Sequence, residues 1–218
     1  MKKLLLITAV IFQSYFALGA TWLGLIDSDW SKVGNWDGPV PGVGDDVVIP
    51  DCSGGNCPVI DGIAASTKKL TIDENATLTL SGNSTLSSVD EVLINGGFTV
   101  DPGSTLDASK SVEVGKDNDN ATFENNGNVT IADDLKAEGS SGGMYDGPFI
   151  TNSGDMDVSG DLNLGNDDGA GTLTNSGTMS MIHTFMVPSS TQAQWDLLLK
   201  CFYMGQCWKE VVLLTLLV

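Results

Sequence analysis

A gapless internal repeat constrains the fold of this chain more than any other feature. Residues 77–94 align with residues 97–114 along their whole length. Within each copy, apolar residues lie two apart, which is the period of a β-strand, and turn-forming residues separate the runs. The matched pairs are Leu78 with Phe98, Leu80 with Val100, Leu86 with Leu106, Val92 with Val112 and Ile94 with Val114. Such a repeat predicts one coil of a β-solenoid.

Apolar strand anchors continue on both sides of the repeat at similar intervals. They are Leu70/Ile72, Val92/Ile94, Val112/Val114, Leu135/Ala137 and Leu162/Leu164. A second series is a glycine placed before a strand, at Gly97, Gly127, Gly154 and Gly177. We therefore predict an all-β, right-handed parallel β-helix of about five to six coils. A β-sandwich, with turns about every ten residues, is the main alternative.

The charge of the chain excludes one class of partner. There are 28 acidic and 10 basic residues, every basic residue is a lysine, and the net charge is −18. Such a chain repels nucleic acid and anionic membrane surfaces and attracts cations or basic partners. We predict no nucleic-acid partner.

Residues 1–20 have the pattern of a signal peptide. Lys2 and Lys3 precede an apolar run, and small residues follow near Gly19 and Ala20. The alternatives are a buried N-terminal strand or a membrane anchor, but the apolar run is short for a span. We predict that residues 1–20 are cleaved, that the mature chain has no firm membrane span, and that it is secreted or held at the cell surface.

Three further segments follow from composition. Residues 21–50 are predicted to form an N-terminal cap and entry strand, and residues 51–181 the β-helix repeats. The tail, residues 182–218, loses the acidic and Gly-rich character of the rest. It is interpreted as a short helix capping the last coil, as a membrane-associating end, or as sequence that is not native to the protein.

Two features of the first coils suggest how they are closed. Cys52 and Cys57 bracket a turn-like Ser-Gly-Gly-Asn segment, which in an exported protein predicts a local disulfide rather than a metal site. Trp22, Trp30 and Trp36 lie among Gly, Asp and Pro with no helical period. We predict that they form an aromatic cap over the open end of the solenoid, while exposed sugar-binding rings are the alternative.

The N-terminal motif resembles the mature start of large secreted bacterial surface proteins. It reads T-W-x-G, then D-W, N-W, V-P and D-D-V-V-I-P. The residues that carry it are Thr21, Trp22, Gly24, Asp29, Trp30, Asn35, Trp36, Val40, Pro41, Asp45, Asp46, Val47, Val48, Ile49 and Pro50. Proteins of this kind resemble adhesin-like right-handed parallel β-helix proteins, which are often exported by the type IX route.

That resemblance covers about residues 21–181 and implies an adhesion or structural display role. Extracellular glycans or cell-surface components would be the partners. Typical members are much longer and end in a C-terminal sorting domain, so the resemblance implies that this chain is a fragment of a longer surface protein.

Acidic and amide side chains cluster in two turns, of which only the second contains glycine. The candidate Ca²⁺ ligands are Asp117, Asp119, Asn166, Asp167 and Asp168. Calcium takes six to eight oxygen ligands, which such turns supply, but neither turn fits the EF-hand pattern. Simple solvated turns are the alternative, and no other cofactor is predicted.

The chemistry of polysaccharide cleavage fits this sequence poorly. A lyase needs Arg or Lys to neutralise a substrate carboxylate, and the chain has no Arg and no clustered Lys. A glycosidase needs two placed carboxylates, for which Asp155, Asp157 and Asp161 are candidates among many surface acids. We predict that the chain is not an enzyme, with a carbohydrate-active β-helix enzyme as the alternative.

Overall fold

In a computed structural model, the chain forms a parallel β-solenoid of about seven turns. The residues described are 19–139, 147–165, 171–181 and, for their strand pairing alone, 185–186. Across these ranges the only helix is a single 3-10 turn at Val33–Asn35. The predicted all-β parallel β-helix is therefore confirmed.

Each full turn contributes one strand to each of three parallel sheets, and the strands are numbered β1–β20 along the chain. Sheet 1 contains, in spatial order, β1 (Ala20–Thr21), β2 (Asp46–Ile49), β5 (Lys69–Ile72), β8 (Val92–Ile94), β11 (Val112–Val114), β14 (Leu135–Ala137), β17 (Leu162–Asn163) and β20 (Phe185–Met186). Sheet 2 contains β3 (Val59–Asp61), β6 (Thr77–Ser81), β9 (Gly97–Val100), β12 (Thr122–Asn125), β15 (Phe149–Asn152) and β18 (Thr172–Asn175). Sheet 3 contains β4 (Ala64–Thr67), β7 (Thr85–Ser88), β10 (Thr105–Ala108), β13 (Asn128–Ile131), β16 (Asp155–Val158) and β19 (Thr178–Met181).

The turn count exceeds the predicted five to six because the predicted entry strand is not the first strand of its sheet. Both β1 and β2 belong to sheet 1, where β2 pairs in parallel with β1 and with β5. Sheet 1 is therefore the longest of the three and runs from the tryptophan-rich segment to β20.

The repeat found in the sequence sets the register of neighbouring turns. Leu78 pairs with Phe98, Leu86 with Leu106, and Val92 with Val112. The outer anchors continue the same column, since Leu135 pairs with Val112 and with Leu162. These inward side chains are at most 1 % exposed. Stacking like on like buries an apolar face that no single turn could cover alone.

The glycine series predicted from the sequence mixes two positions. Gly97 begins β9 in sheet 2, whereas Gly127, Gly154 and Gly177 precede strands of sheet 3 and stack on one another. A glycine followed by alternating apolar and polar residues occurs both at the start of a sheet 2 strand and before the sheet 3 strands. The spacing between Gly97 and Gly127 therefore has no structural meaning.

An asparagine ladder occupies the inner corner between sheets 2 and 3. The Asn125 side chain donates from Nδ2 to Asn152 Oδ1 at 2.7 Å, and Asn152 repeats the contact to Asn175 at 2.7 Å. The same amide groups also donate to the main-chain oxygens of Asp155 and Thr178. Asn125 and Asn152 are fully buried, and these bonds satisfy polar groups that would otherwise be costly inside the core.

The glycine column beside this ladder yields a steric prediction. A Cβ atom at Gly154 would lie 2.1 Å from Gly127 O and 2.8 Å from Gly127 N, and both are main-chain atoms of the turn below. We expect Gly154→Ala to destabilise the fold by about 1–3 kcal/mol, as overpacking typically does. Urea denaturation measures this. Gly38→Ala is the control, because a Cβ there meets nothing within 4 Å, and equal losses in both variants would contradict the steric reason.

The three tryptophans lie at the N-terminal end of the core. Trp22 and Trp30 are 1 % exposed and Trp36 is 4 % exposed. The Trp36 ring packs edge-on against both others, with ring centroids 5.0 Å from Trp22 and 4.7 Å from Trp30. Buried in this way, the rings offer no open face to a sugar.

Asn35 fixes the loop that carries these tryptophans. Its Oδ1 accepts hydrogen bonds from the main-chain nitrogens of Ile26 and Asp27, and its Nδ2 donates to Asp27 and to Asp29 O. The Lys32 ammonium also donates to Asp27. Hydrogen bonds from Lys32 and then from Asn35 lower the pKa of Asp27 to about 2. These contacts explain why Asp and Asn interrupt the aromatic motif.

Several predictions fall on residues outside the described ranges. They are the body of the signal peptide, the candidate ligands Asn166, Asp167 and Asp168, and the tail with its helix, apart from β20. Within the described ranges, no helix has the length and apolar character needed to cross a membrane.

Candidate functional site

The corner between sheet 1 and sheet 2 carries the long connections that follow β2. We call it the loop corner, defined by the connections 50–58, 73–76, 95–96, 115–121, 138–148 and 164–171. They run from two to eleven residues, whereas the other two corners use one to four residues between strands. The long connections of this solenoid are thus gathered at a single edge, as insertions in repeat proteins commonly are, and loops at such positions commonly carry function.

The first connection of the loop corner holds the predicted disulfide. Cys52 and Cys57 are joined, with their Cα atoms 5.2 Å apart. Next to the bridge, Asn56 O accepts a hydrogen bond from Trp22 Nε1 at 2.7 Å, and Asn56 Nδ2 donates to Gly24 O at 2.9 Å. The disulfide loop is therefore tied to the tryptophan end of the core.

Further along the loop corner, a polar network joins two successive turns. Asn95 is 6 % exposed, and its Oδ1 accepts from the main-chain nitrogen of Asp117 at 3.0 Å. Its Nδ2 donates to Asp117 Oδ2 at 3.1 Å, and Asn118 Nδ2 donates to Asn95 O at 2.7 Å. The shorter 95–96 connection thus organises the longer 115–121 connection above it.

Asp73 lies in the preceding turn of this corner, close to Asp117. Partial burial and then the negative charge of Asp117 raise the pKa of the Asp73 carboxyl. The charged form of Asp73 is therefore disfavoured in the folded protein. Stability linked to this group is present below its unfolded pKa near 3.8 and is lost as the pH rises through the raised folded value.

We accordingly expect Asp73→Asn to raise the melting temperature at pH 7. The gain should stay below about 1 kcal/mol, because solvent screens the pair. It should shrink as the pH falls through the raised folded pKa of Asp73, and it should be lost below the unfolded pKa near 3.8. Thermal melts at pH 7 and pH 3.5 measure this. Glu74→Gln, an exposed neighbour with the same change in net charge, is the control, and a gain equal to that of Asp73→Asn would contradict the local cause.

The structure gives little support to calcium binding in its described part. Asp117 is engaged with Asn95, and Asp119 has interactions of its own. No group of three or more His, Cys, Asp or Glu residues suited to a metal ion occurs among the residues described. Asp73 and Asp117 supply two carboxylates, fewer oxygens than calcium takes.

The five described lysines that follow the tryptophan loop are more clustered than the sequence suggests, and they lie on the outer side of sheet 1 or at its borders. Lys69 pairs with Glu91 at 2.7 Å, while Lys116 and Lys136 both pair with Glu113, at 2.9 and 3.5 Å. Parallel register produces this arrangement, because Glu113 lies opposite Lys136 in the next strand. Since these ammonium groups are paired with acids, they form no free anion site of the kind a lyase needs.

Of the three candidate glycosidase carboxylates, two lie on one strand and the third lies elsewhere. Asp155 and Asp157 both lie exposed on the outer face of β16, and Asp157 accepts a hydrogen bond from Ser180. Asp161 lies in the connection that follows, at another corner. Both carboxylates therefore project from the same exposed face of one strand, whereas a glycosidase places its two carboxylates on either side of the scissile bond.

Sequence reasoning missed two features of this region. It did not identify which corner of the coil would carry the long connections, although each of them follows a sheet 1 anchor, and that position was the available signal. It also missed Phe149, which directly follows the 138–148 connection and is 43 % exposed as the first residue of β15.

Comparison with known proteins gives a family but no function. No curated protein and no solved structure matches the chain. Residues 21–141, more than half of the chain, match the family described as a domain of unknown function (DUF8693). The match begins at the tryptophan end and runs through the repeat into the 138–148 connection. The chain therefore belongs to the DUF8693 family.

Proposed function

We propose that this chain is a non-catalytic β-solenoid of the cell surface or the extracellular space that serves adhesion or structural display. One observation carries the proposal: a regular stack of parallel strands presents its long connections along a single edge, the loop corner. Strands of neighbouring turns are about 4.8 Å apart, so the ends of successive connections follow one another along this edge at that spacing.

The framework suits display because its register is fixed before any partner arrives. Strand ladders hold both ends of each connection, so the ends of the loops need no ordering when a partner binds. The Cys52–Cys57 disulfide favours an oxidising compartment, and the predicted signal peptide would lead the chain there. Export by the type IX route and membership of a longer surface protein are part of the same proposal.

The alternative function is a carbohydrate-active enzyme, and Asp155 and Asp157 are its best candidates. A reducing-sugar assay on a panel of polysaccharides separates it from the proposal. We expect no release of reducing ends by the full chain. Measurable turnover that is lost in Asp157→Asn would overturn the non-catalytic assignment.

Adhesion is tested directly with beads that carry the full chain. We expect them to attach to bacterial or host cells and to extracellular matrix more strongly than albumin-coated beads. In a loop-corner variant, the 115–121 and 138–148 connections are each replaced by the two-residue Asn-Gly connection at 95–96, which already closes this corner. We expect that variant to keep its strand-type circular dichroism and to attach more weakly. No attachment by the native chain would refute the proposed function.

A further inference from the structure

One aromatic ring is exposed on sheet 2, where most of the other outward side chains are threonine or serine. Phe149 is 43 % exposed and is the only exposed aromatic side chain among those that the structure describes. It begins β15 at the end of sheet 2 that borders the loop corner. An isolated exposed ring, held on a regular strand, is a candidate contact point for a ligand with an apolar surface.

Threonines surround this ring in the register of the sheet. Thr122 and Thr172 are the strand partners of Phe149 on its two sides, each about 4.8 Å away along the solenoid. Thr151 lies two residues further on the same strand and points to the same face, opposite Glu124. The ring is thus flanked by hydroxyl groups that can donate and accept hydrogen bonds.

The backbone under the ring is held on both sides. Phe149 N donates to Ala121 O at 2.9 Å, and Thr172 N donates to Pro148 O at 2.8 Å. Pro148 is buried and lies over Gly115, where an added Cβ would come within 2.5 Å of its ring. The platform is therefore preorganised, which lowers the entropy cost of binding.

The charge of this face restricts the ligand. No strand of sheet 2 or sheet 3 contains a lysine, and the nearest charged group to the ring along the register is the Glu124 carboxylate. An anionic ligand would find no lysine in the strands of this face, and Lys116 of the neighbouring connection is already paired with Glu113, so the acidic chain would repel it. A large apolar protein surface would find only one ring among hydroxyl groups. A neutral ligand with one apolar face and several hydroxyls fits best.

We infer that Phe149, Thr122, Thr151 and Thr172 form a binding platform for a neutral saccharide unit of a glycan. The C–H face of a pyranose ring stacks on the Phe149 ring, whose face is electron-rich. Sugar hydroxyls then exchange hydrogen bonds with the three threonines. This inference rests on the proposed function, because it names the ligand class and the place for attachment to glycans.

The experiment uses the full chain on an array of neutral and acidic glycans, followed by titration of the best neutral oligosaccharide. We expect neutral glycans to bind and acidic ones to bind less. Phe149→Ala should weaken binding about tenfold or more, the size of a lost aromatic contact, while Phe149→Trp should retain it. Val89→Ala is the matched control, since Val89 is exposed to 44 % at another corner.

The outcomes are separable from those of the adhesion test. Equal binding by the native chain and Phe149→Ala, or an array with no neutral glycan bound, would overturn this inference. Bead attachment could still succeed in either case, and the proposed function would then stand without this platform. A preference for acidic glycans that survives Phe149→Ala would also refute it.

Discussion

Phe98→Ala will cost the solenoid about 3–5 kcal/mol of folding free energy, the usual range for a buried aromatic. Phe98 is 1 % exposed and stacks on Phe123 with ring centroids 5.6 Å apart and an interplanar angle of 23°. On its other side it pairs with Leu78. Main-chain ladders hold the neighbouring turns at strand spacing, so the turns cannot close the cavity that alanine would leave.

The chain contains a matched control for this prediction. Phe149 is also a phenylalanine of sheet 2, but its ring faces solvent, so Phe149→Ala should change stability by no more than about 0.5–1 kcal/mol. Urea denaturation followed by far-UV circular dichroism compares the two variants. Similar losses would show that Phe98 does not contribute through burial in the ladder.

Asn152→Ala is expected to cost about 2–4 kcal/mol, because it breaks the asparagine ladder at its middle rung and leaves buried partners unpaired. The variant loses the two hydrogen bonds that Asn152 donates, to Asn175 Oδ1 and to Thr178 O. It also removes the acceptor of the bond from Asn125. Each polar group left unpaired in a buried position costs about 1–3 kcal/mol, and Asn152 is fully buried.

Asn175→Ala provides the comparison for this rung. Asn175 is the same residue type at the end of the same ladder, but it is only partly buried and accepts one ladder bond. Water can replace that bond, so we expect a loss of about 1 kcal/mol or less. The two variants are compared by the same denaturation experiment. A larger loss in Asn175→Ala than in Asn152→Ala would contradict the ladder account.

The regular part of the fold could be predicted because the stacked turns have similar sequences. The sequence repeat aligns Leu78 with Phe98 and Val92 with Val112, because the two members of each pair have the same environment in adjacent turns. The strand register follows from the alignment without any further information. The disulfide between Cys52 and Cys57 could also be predicted, because the two residues are close together in the sequence.

The other features depend on contacts that no single-sequence pattern contains. Gly97 and Gly127 look alike in the sequence but lie at different corners, because the turn lengths between them vary. The pairing of Lys136 with Glu113 arises from strand register between two successive turns, not from proximity in the sequence. The exposure of Phe149 has the same origin, since alternation along β15 could place it on either side until the ladder fixes its phase.

The loop corner has a consequence for how such a chain can vary. A residue inserted within a strand reverses the inward and outward side chains that follow it. A residue inserted at this corner leaves the ladders in phase, as the connections of two to eleven residues already demonstrate. Evolution can therefore exchange whole peptides along this edge without redesigning the core. The same edge is a natural place to graft foreign epitopes at a spacing set by the strands.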